Sequence, residues 1–183
     1  MMNRLWRTGL FGSCLLMACS AVAEDVDPDG DGSQYAWAPN LGWVNAEPLG
    51  DGGPGVSLSG EAATGWLWSS NAGWISLNCE NTGSCGTVDY GVVNDGKGQL
   101  SGYAWAPNIG WISFSCVDSE TCASVDYGVQ VDSASGEMSG WAWAANAGWI
   151  GFSCTDTESC GSVDFGVRLV SQLIDAIFAD RFE

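Results

Sequence analysis

Residues 102–116 read GYAWAPNIGWISFSC, and the fold turns on what this stretch does. Tyr103 and Trp105 fall on one face of a period-two pattern, with Ala104 and Ala106 between and after them, as in a strand. Pro107-Asn108-Ile109-Gly110 has turn chemistry, because Pro fixes the entry and Asn and Gly tolerate a left-handed backbone. WISFSC at 111–116 then resumes an extended run. The stretch therefore predicts two strands joined by a tight turn, with Trp105 and Trp111 flanking the reversal.

The same order returns as QYAWAPNLGWVNA at 34–46, GWLWSSNAGWISLNC at 65–79 and GWAWAANAGWIGFSC at 140–154. Its second tryptophan falls at Trp43, Trp74, Trp111 and Trp149, at intervals of 31, 37 and 38 residues, and a near-constant period of this size signals repeat architecture. A further stretch follows the last three copies: GTVDYGVV at 86–93, ASVDYGVQV at 123–131 and GSVDFGVRLV at 161–170. Its alternation, with Val125, Tyr127, Val129 and Val131 on one face, predicts a third strand over 124–131. The first copy lacks this stretch and carries LGDGGPG at 49–55, as a divergent terminal unit does. The expected fold is all-β: tandem repeats of about 38 residues stacked as a β-solenoid-like or meander array over 34–170. Fewer than four complete units argue against a closed ring.

Six of the eight cysteines fall as Cys79/Cys85, Cys116/Cys122 and Cys154/Cys160, each pair spanning five intervening residues. Identical spacing in each complete repeat favours local disulfides over the other pairings, each closing a short loop for about 2 kcal/mol. Thiolate metal binding is disfavoured, since the spacing is not that of a zinc site and histidine is absent.

Residues 1–23 have Arg4 and Arg7, an apolar run and the small residues Ala21 and Ala23 before Glu24, the pattern of a secretory signal peptide cleaved after Ala23. A second reading is a lipobox, Leu16-Met17-Ala18-Cys19, with lipidation at Cys19 and an outer-membrane lipoprotein as the product. No later segment is apolar for the roughly 20 residues of a spanning helix. With the leader removed, three basic residues face 22 acids, a net charge of −19. Such a chain repels phosphate backbones, which argues against nucleic acid as a partner. The absence of histidine removes the commonest general base and the Ser-His and Cys-His pairs, and no enzyme activity is expected.

The paired tryptophans Trp37/Trp43, Trp68/Trp74, Trp105/Trp111 and Trp143/Trp149, with Trp66 and Trp141 where other copies have tyrosine, permit two readings. In the first, their rings pack across the hairpin and against the next copy, replacing an aliphatic core. In the second, they face outward as a platform on which sugar rings stack. Asn40, Asn71, Asn108 and Asn146 are expected to be left-handed turn residues. The acidic linker at 24–33 places Asp27, Asp29 and Asp31 at alternate positions, a weak calcium candidate. Ala38 stands where an EF-hand loop needs its bidentate Glu. Otherwise no cofactor is expected. Asp89, Asp126 and Asp164 are expected to face solvent or bond a turn. The tail at 171–183 spaces Ile174, Phe178 and Phe182 by four, as in a short amphipathic helix. It resembles the Ile-Phe-x-x-x-Phe-Glu endings of exported proteins in some Gram-negative bacteria, which implies processing or sorting.

GYAWAPNIGWISF resembles a repeat written Gly-Tyr-Ala-Trp-x-x-Asn-x-Gly-Trp-Ile-x-Phe, found in exported and cell-surface bacterial proteins. The resemblance covers residues 34–170. It implies export, an extracellular or surface location and an all-β array, and it brings no catalytic residues. The expected role is that of a non-enzymatic structural or adhesive repeat protein of the bacterial surface, meeting cell-envelope components or polysaccharide. The alternative is a carbohydrate-binding module using exposed tryptophans, with a hydrolase a distant third.

Overall fold

The computed structural model describes residues 25–49 and 55–170. The expected signal peptide, Cys19 and the tail at 171–183 lie outside them. The described residues form twelve short strands and one helical turn: β1 (Tyr35–Ala38), β2 (Gly42–Asn45), β3 (Ser57–Ser59), β4 (Ala62–Thr64), β5 (Trp66–Ser69), β6 (Gly73–Ser76), α1 (Cys79–Thr82), β7 (Val92–Asn94), β8 (Gln99–Ala106), β9 (Gly110–Ser113), β10 (Val129–Val131), β11 (Met138–Ala144) and β12 (Gly148–Gly151).

The four Trp-Asn-Gly-Trp segments fold as hairpins of one register. Trp37 lies opposite Trp43, Trp68 opposite Trp74, Trp105 opposite Trp111 and Trp143 opposite Trp149. Each turn places a glycine in the left-handed region, at Gly42, Gly73, Gly110 and Gly148, where a side chain is disfavoured. The hairpins then pair with one another through Val44↔Ser69, Ser76↔Trp105 and Ser113↔Trp143. A last pairing, Trp37↔Gly151, joins β1 to β12. These pairings close an antiparallel eight-stranded barrel, which overturns the expected solenoid or open meander. The expectation failed because it counted complete units, whereas closure needs only one hairpin from each, and the divergent first copy supplies β1 and β2.

A second tier runs β3-β4-β7-β8-β10-β11 across one end of the barrel. It continues through bridges Glu137↔Arg168, Gln34↔Val167 and Val26↔Leu169. Strand β3 stands beside β4 as β7 stands beside β8, so the first copy has a third strand without the Val-Asp-Tyr sequence. Strand β8 serves both tiers, and it changes direction at Gly102, whose φ is +88°. Gly140 does the same in β11 at +91°. A Cβ at either position would collide with the carbonyl of Gly91 or Gly128. The third strand is shorter than expected: β10 holds only Val129–Val131, and Val125 lies exposed in the preceding turn.

Alternation along the barrel strands sends Ala36, Val44, Leu67, Ile75, Ala104, Ile112, Ala142 and Ile150 inward, all nearly inaccessible. Phe114 and Phe152, with centroids 5.8 Å apart, fill the end toward the second tier. An eight-stranded barrel is only wide enough for its own side chains. The remaining void, bordered by Leu67, Leu77, Phe114, Met138 and Phe152, is about 10 Å³, too small and apolar for a ligand or a water. The interior is core.

Candidate functional site

Because the small and aliphatic residues take the inside, the other face of every barrel strand points out and carries the indoles. Trp43, Trp68, Trp74 and Trp111 are 43%, 39%, 40% and 41% exposed. They are not the core that the first reading of the sequence makes of them. Within a hairpin the pairing did form: ring centroids lie 4.8 Å apart for Trp37 and Trp43 and 4.6 Å apart for both Trp105/Trp111 and Trp143/Trp149. A further ring from its own hairpin joins each outer tryptophan at 6.0–6.3 Å: Tyr35, Trp66, Tyr103 or Trp141. Edge-to-face contacts of this kind add roughly 0.5–1.5 kcal/mol beyond burial.

A fourth ring covers three of these clusters. Tyr90 packs on Trp111, Tyr127 on Trp149 and Phe165 on Trp43. Each comes from the Val-Asp-Tyr/Phe stretch just before the hairpin, or from the last copy for Trp43. Among the described residues Trp74 receives none, and the sequence has no aromatic residue between Trp43 and Trp66 to supply one from the preceding stretch. Beside it opens a cleft of about 450 Å³, lined by Leu49, Trp66, Trp74, Ser76, Thr82, Trp105 and Pro107. That volume lies within the roughly 300–1,000 Å³ of small-molecule sites. Of its lining, the sequence singled out the tryptophans; Leu49, Ser76, Thr82 and Pro107 were missed. The signal was the absent Val-Asp-Tyr stretch, which leaves one tryptophan uncovered.

Polar groups around the clusters are committed. Tyr90 Oη donates to Ser76 Oγ at 3.0 Å, and Tyr127 Oη to Ser113 Oγ at 2.9 Å. In the last copy the serine is Gly151 and the tyrosine is Phe165, so the hydroxyl disappears together with its partner. Tyr103 Oη donates to the Asp118 carbonyl at 2.6 Å. Its burial, with Asp118 nearby, raises its pKa.

The turn asparagines are not left-handed as expected; that conformation belongs to the glycines two residues on. Each reaches instead to the neighbouring hairpin. Asn71 Nδ2 donates to the Leu41 carbonyl (3.2 Å), Asn108 to Ala72 (3.0 Å), Asn146 to Ile109 (3.1 Å) and Asn40 to Ala147 (3.0 Å). The four bonds form a ring around the turn end of the barrel.

The disulfides Cys79–Cys85, Cys116–Cys122 and Cys154–Cys160 are formed. In each, the buried sulfur has a carboxylate beside it: Asp89 or Asp126 at 3.4 Å, or Asp164 at 3.2 Å. These aspartates are exposed, as expected, and each also stands beside its cross-link. Among the described residues, the groups with metal-ligand chemistry are these three Cys-Cys-Asp sets, and disulfide bonding consumes their thiolates. Asp27, Asp29 and Asp31 are otherwise engaged. Asp27 accepts from the amides of Asp31 and Gly32 and from Ser33 Oγ. Asp29 and Asp31 hold the Arg168 guanidinium at 2.7 and 2.9 Å, where a cation would otherwise sit. The Ser33 hydrogen bonds hold the Asp31 carboxyl below its usual range, and the bond that Arg168 donates to Asp29 raises the guanidinium pKa.

Among the described residues, no helix is long and apolar enough to cross a membrane. Comparison of the chain with protein-family models, curated proteins and solved structures found no match.

Proposed function

We propose that the protein is a non-enzymatic exported module of the bacterial surface, whose outer wall of tryptophans adheres to polysaccharide. One observation carries this reading: large planar apolar side chains stand about two-fifths exposed around the outside of a barrel whose inside is already full. Leaving indoles in water forgoes burial, and patches of this kind mark interaction surfaces. Sugar rings offer apolar C–H faces that stack on such indoles. The three disulfides and the closed sheet hold the rings in place without a ligand, which suits an adhesive unit outside the cell. Retention of the oxidised protein on insoluble cell-wall polysaccharide, with a shift in tryptophan emission on soluble fragments, is the expected result. Absence of retention on every polysaccharide tried, or release of reducing sugar from one, would overturn the reading.

A further inference from the structure

We propose that the cleft between the second and third hairpins binds a quaternary ammonium group, of the kind carried by choline. The inference does not depend on the adhesive reading. On three hairpins the outer tryptophan meets an aromatic ring nearly at right angles, at 77° for Phe165, 73° for Tyr90 and 76° for Tyr127. Such contacts set the positive edge of one ring against the negative face of another. Among the described residues Trp74 lacks this partner, and the space beside it is the cleft.

The shape of the cleft follows from strand register. Trp66 lies opposite Ser76, and Ser76 lies opposite Trp105, so the three form one row across β5, β6 and β8. The serine between the two indoles is itself fully buried, with the Tyr90 hydroxyl and the Asn81 side chain bonded to its Oγ, and puts no bulky side chain between the two indole walls. The walls rise from strands two spacings apart, about 9.5 Å, which leaves room for one compact group between the rings. Trp74 stands at 77° to Trp66. The two meet as a corner rather than a shelf, a shape that fits a near-spherical trimethylammonium better than a flat sugar.

The polar atoms point the same way. Ser76 Oγ is bonded to the Asn78 carbonyl and to Tyr90 Oη, and Thr82 Oγ1 donates to the Cys79 carbonyl. Neither is free to pair with a ring of sugar hydroxyls. None of the described residues lining the cleft is charged, yet the chain carries a net −17, and such a field draws cations in and turns anions away. An aromatic box in an acidic protein has the chemistry of cation–π recognition.

Titration calorimetry of the full oxidised chain with choline, and with its uncharged isostere 3,3-dimethylbutan-1-ol, tests this. The expected result is at least tenfold tighter binding of choline, weakening as salt is raised. Trp74→Ala should weaken it at least tenfold. Trp149→Ala, on the far hairpin, should leave it unchanged. A lipid headgroup shares this chemistry: flotation with phosphatidylcholine vesicles would assign the site to the lipid, and choline binding without flotation to the free cation, both supporting it. Equal binding of the isostere, equal loss in Trp149→Ala, or binding of cellobiose but not choline would overturn the proposal. The isostere comparison needs no variant, so it stands even if Trp74→Ala fails to fold.

Discussion

Asn40 Nδ2 donates to the carbonyl oxygen of Ala147 at 3.0 Å, across 107 positions of sequence. It is the bond that turns three equivalent clasps between consecutive hairpins into a ring. Removing it by Asn40→Ala leaves the Ala147 carbonyl without this partner at the seam between first and last hairpins. The expected loss is about 1–2 kcal/mol, read as a lowered urea midpoint. Asn71→Ala, away from the seam, should cost a similar amount. Unchanged midpoints in both would show that water replaces these clasps without loss.

Gly102→Ala and Gly42→Ala should separate strain from collision. Gly42 is left-handed with open space where a Cβ would stand, so alanine there should cost about 1–2 kcal/mol. Gly102 is also left-handed but faces the Gly91 backbone. Alanine there should cost on the order of 4 kcal/mol, since strand and carbonyl must both move. Denaturant midpoints with all disulfides intact would check the ranking, and equal costs would refute it.

The carboxylates beside the disulfides should slow their reduction. Cys122 is exposed and Cys116 buried, so an external thiolate attacks Cys122 and expels the Cys116 sulfur as an anion. That anion would form beside Asp126, 3.4 Å away, and a like charge disfavours it. Asp126→Asn should therefore speed reduction of Cys116–Cys122 by dithiothreitol severalfold at constant pH, measured by mass spectrometry of alkylated intermediates. No change in rate would mean that access alone governs the bond.

Acid sensitivity should set in late. With no histidine in the chain, stability should be nearly flat between about pH 5 and 8. The amides of Ser135 and Ala134 and the Ser135 hydroxyl hold the Asp132 carboxyl below its ordinary 3.8, and Ser33 does so for Asp31. A carboxyl lowered in the fold contributes stability above its unfolded pKa and loses it as pH falls through the folded one. The loss should thus begin below about pH 4. Asp132→Asn should lower the melting temperature at pH 6 and converge with the parent at pH 2. A difference that persists at pH 2 would contradict this.

Much of the local structure was legible in the sequence. The hairpins, their turns and the three disulfides follow from alternation, Pro-Asn-x-Gly chemistry and equal cysteine spacing. Which face of each strand lies inside did not follow. Alternation separates Ala104 and Ile112 from Trp105 and Trp111 without saying which pair is buried, and hydrophobicity alone would bury the indoles. The width of a closed eight-stranded barrel decides it, because its interior admits alanine and isoleucine but not eight tryptophans. Closure rests on Trp37↔Gly151, a pairing between the ends of the array that no local pattern encodes. The cleft was hidden for a related reason. It lies beside a tryptophan that no fourth ring covers among the described residues, and its walls belong to different hairpins.

An open stack can lengthen by one unit at a time, and its neighbours need not change. A barrel closed between β1 and β12 has no such freedom. A fifth hairpin would widen it to ten strands, and the alanines that now fill the middle would face a hollow too broad to span. Copy number here is set by interior volume, and any change in it would have to rewrite every inward residue together.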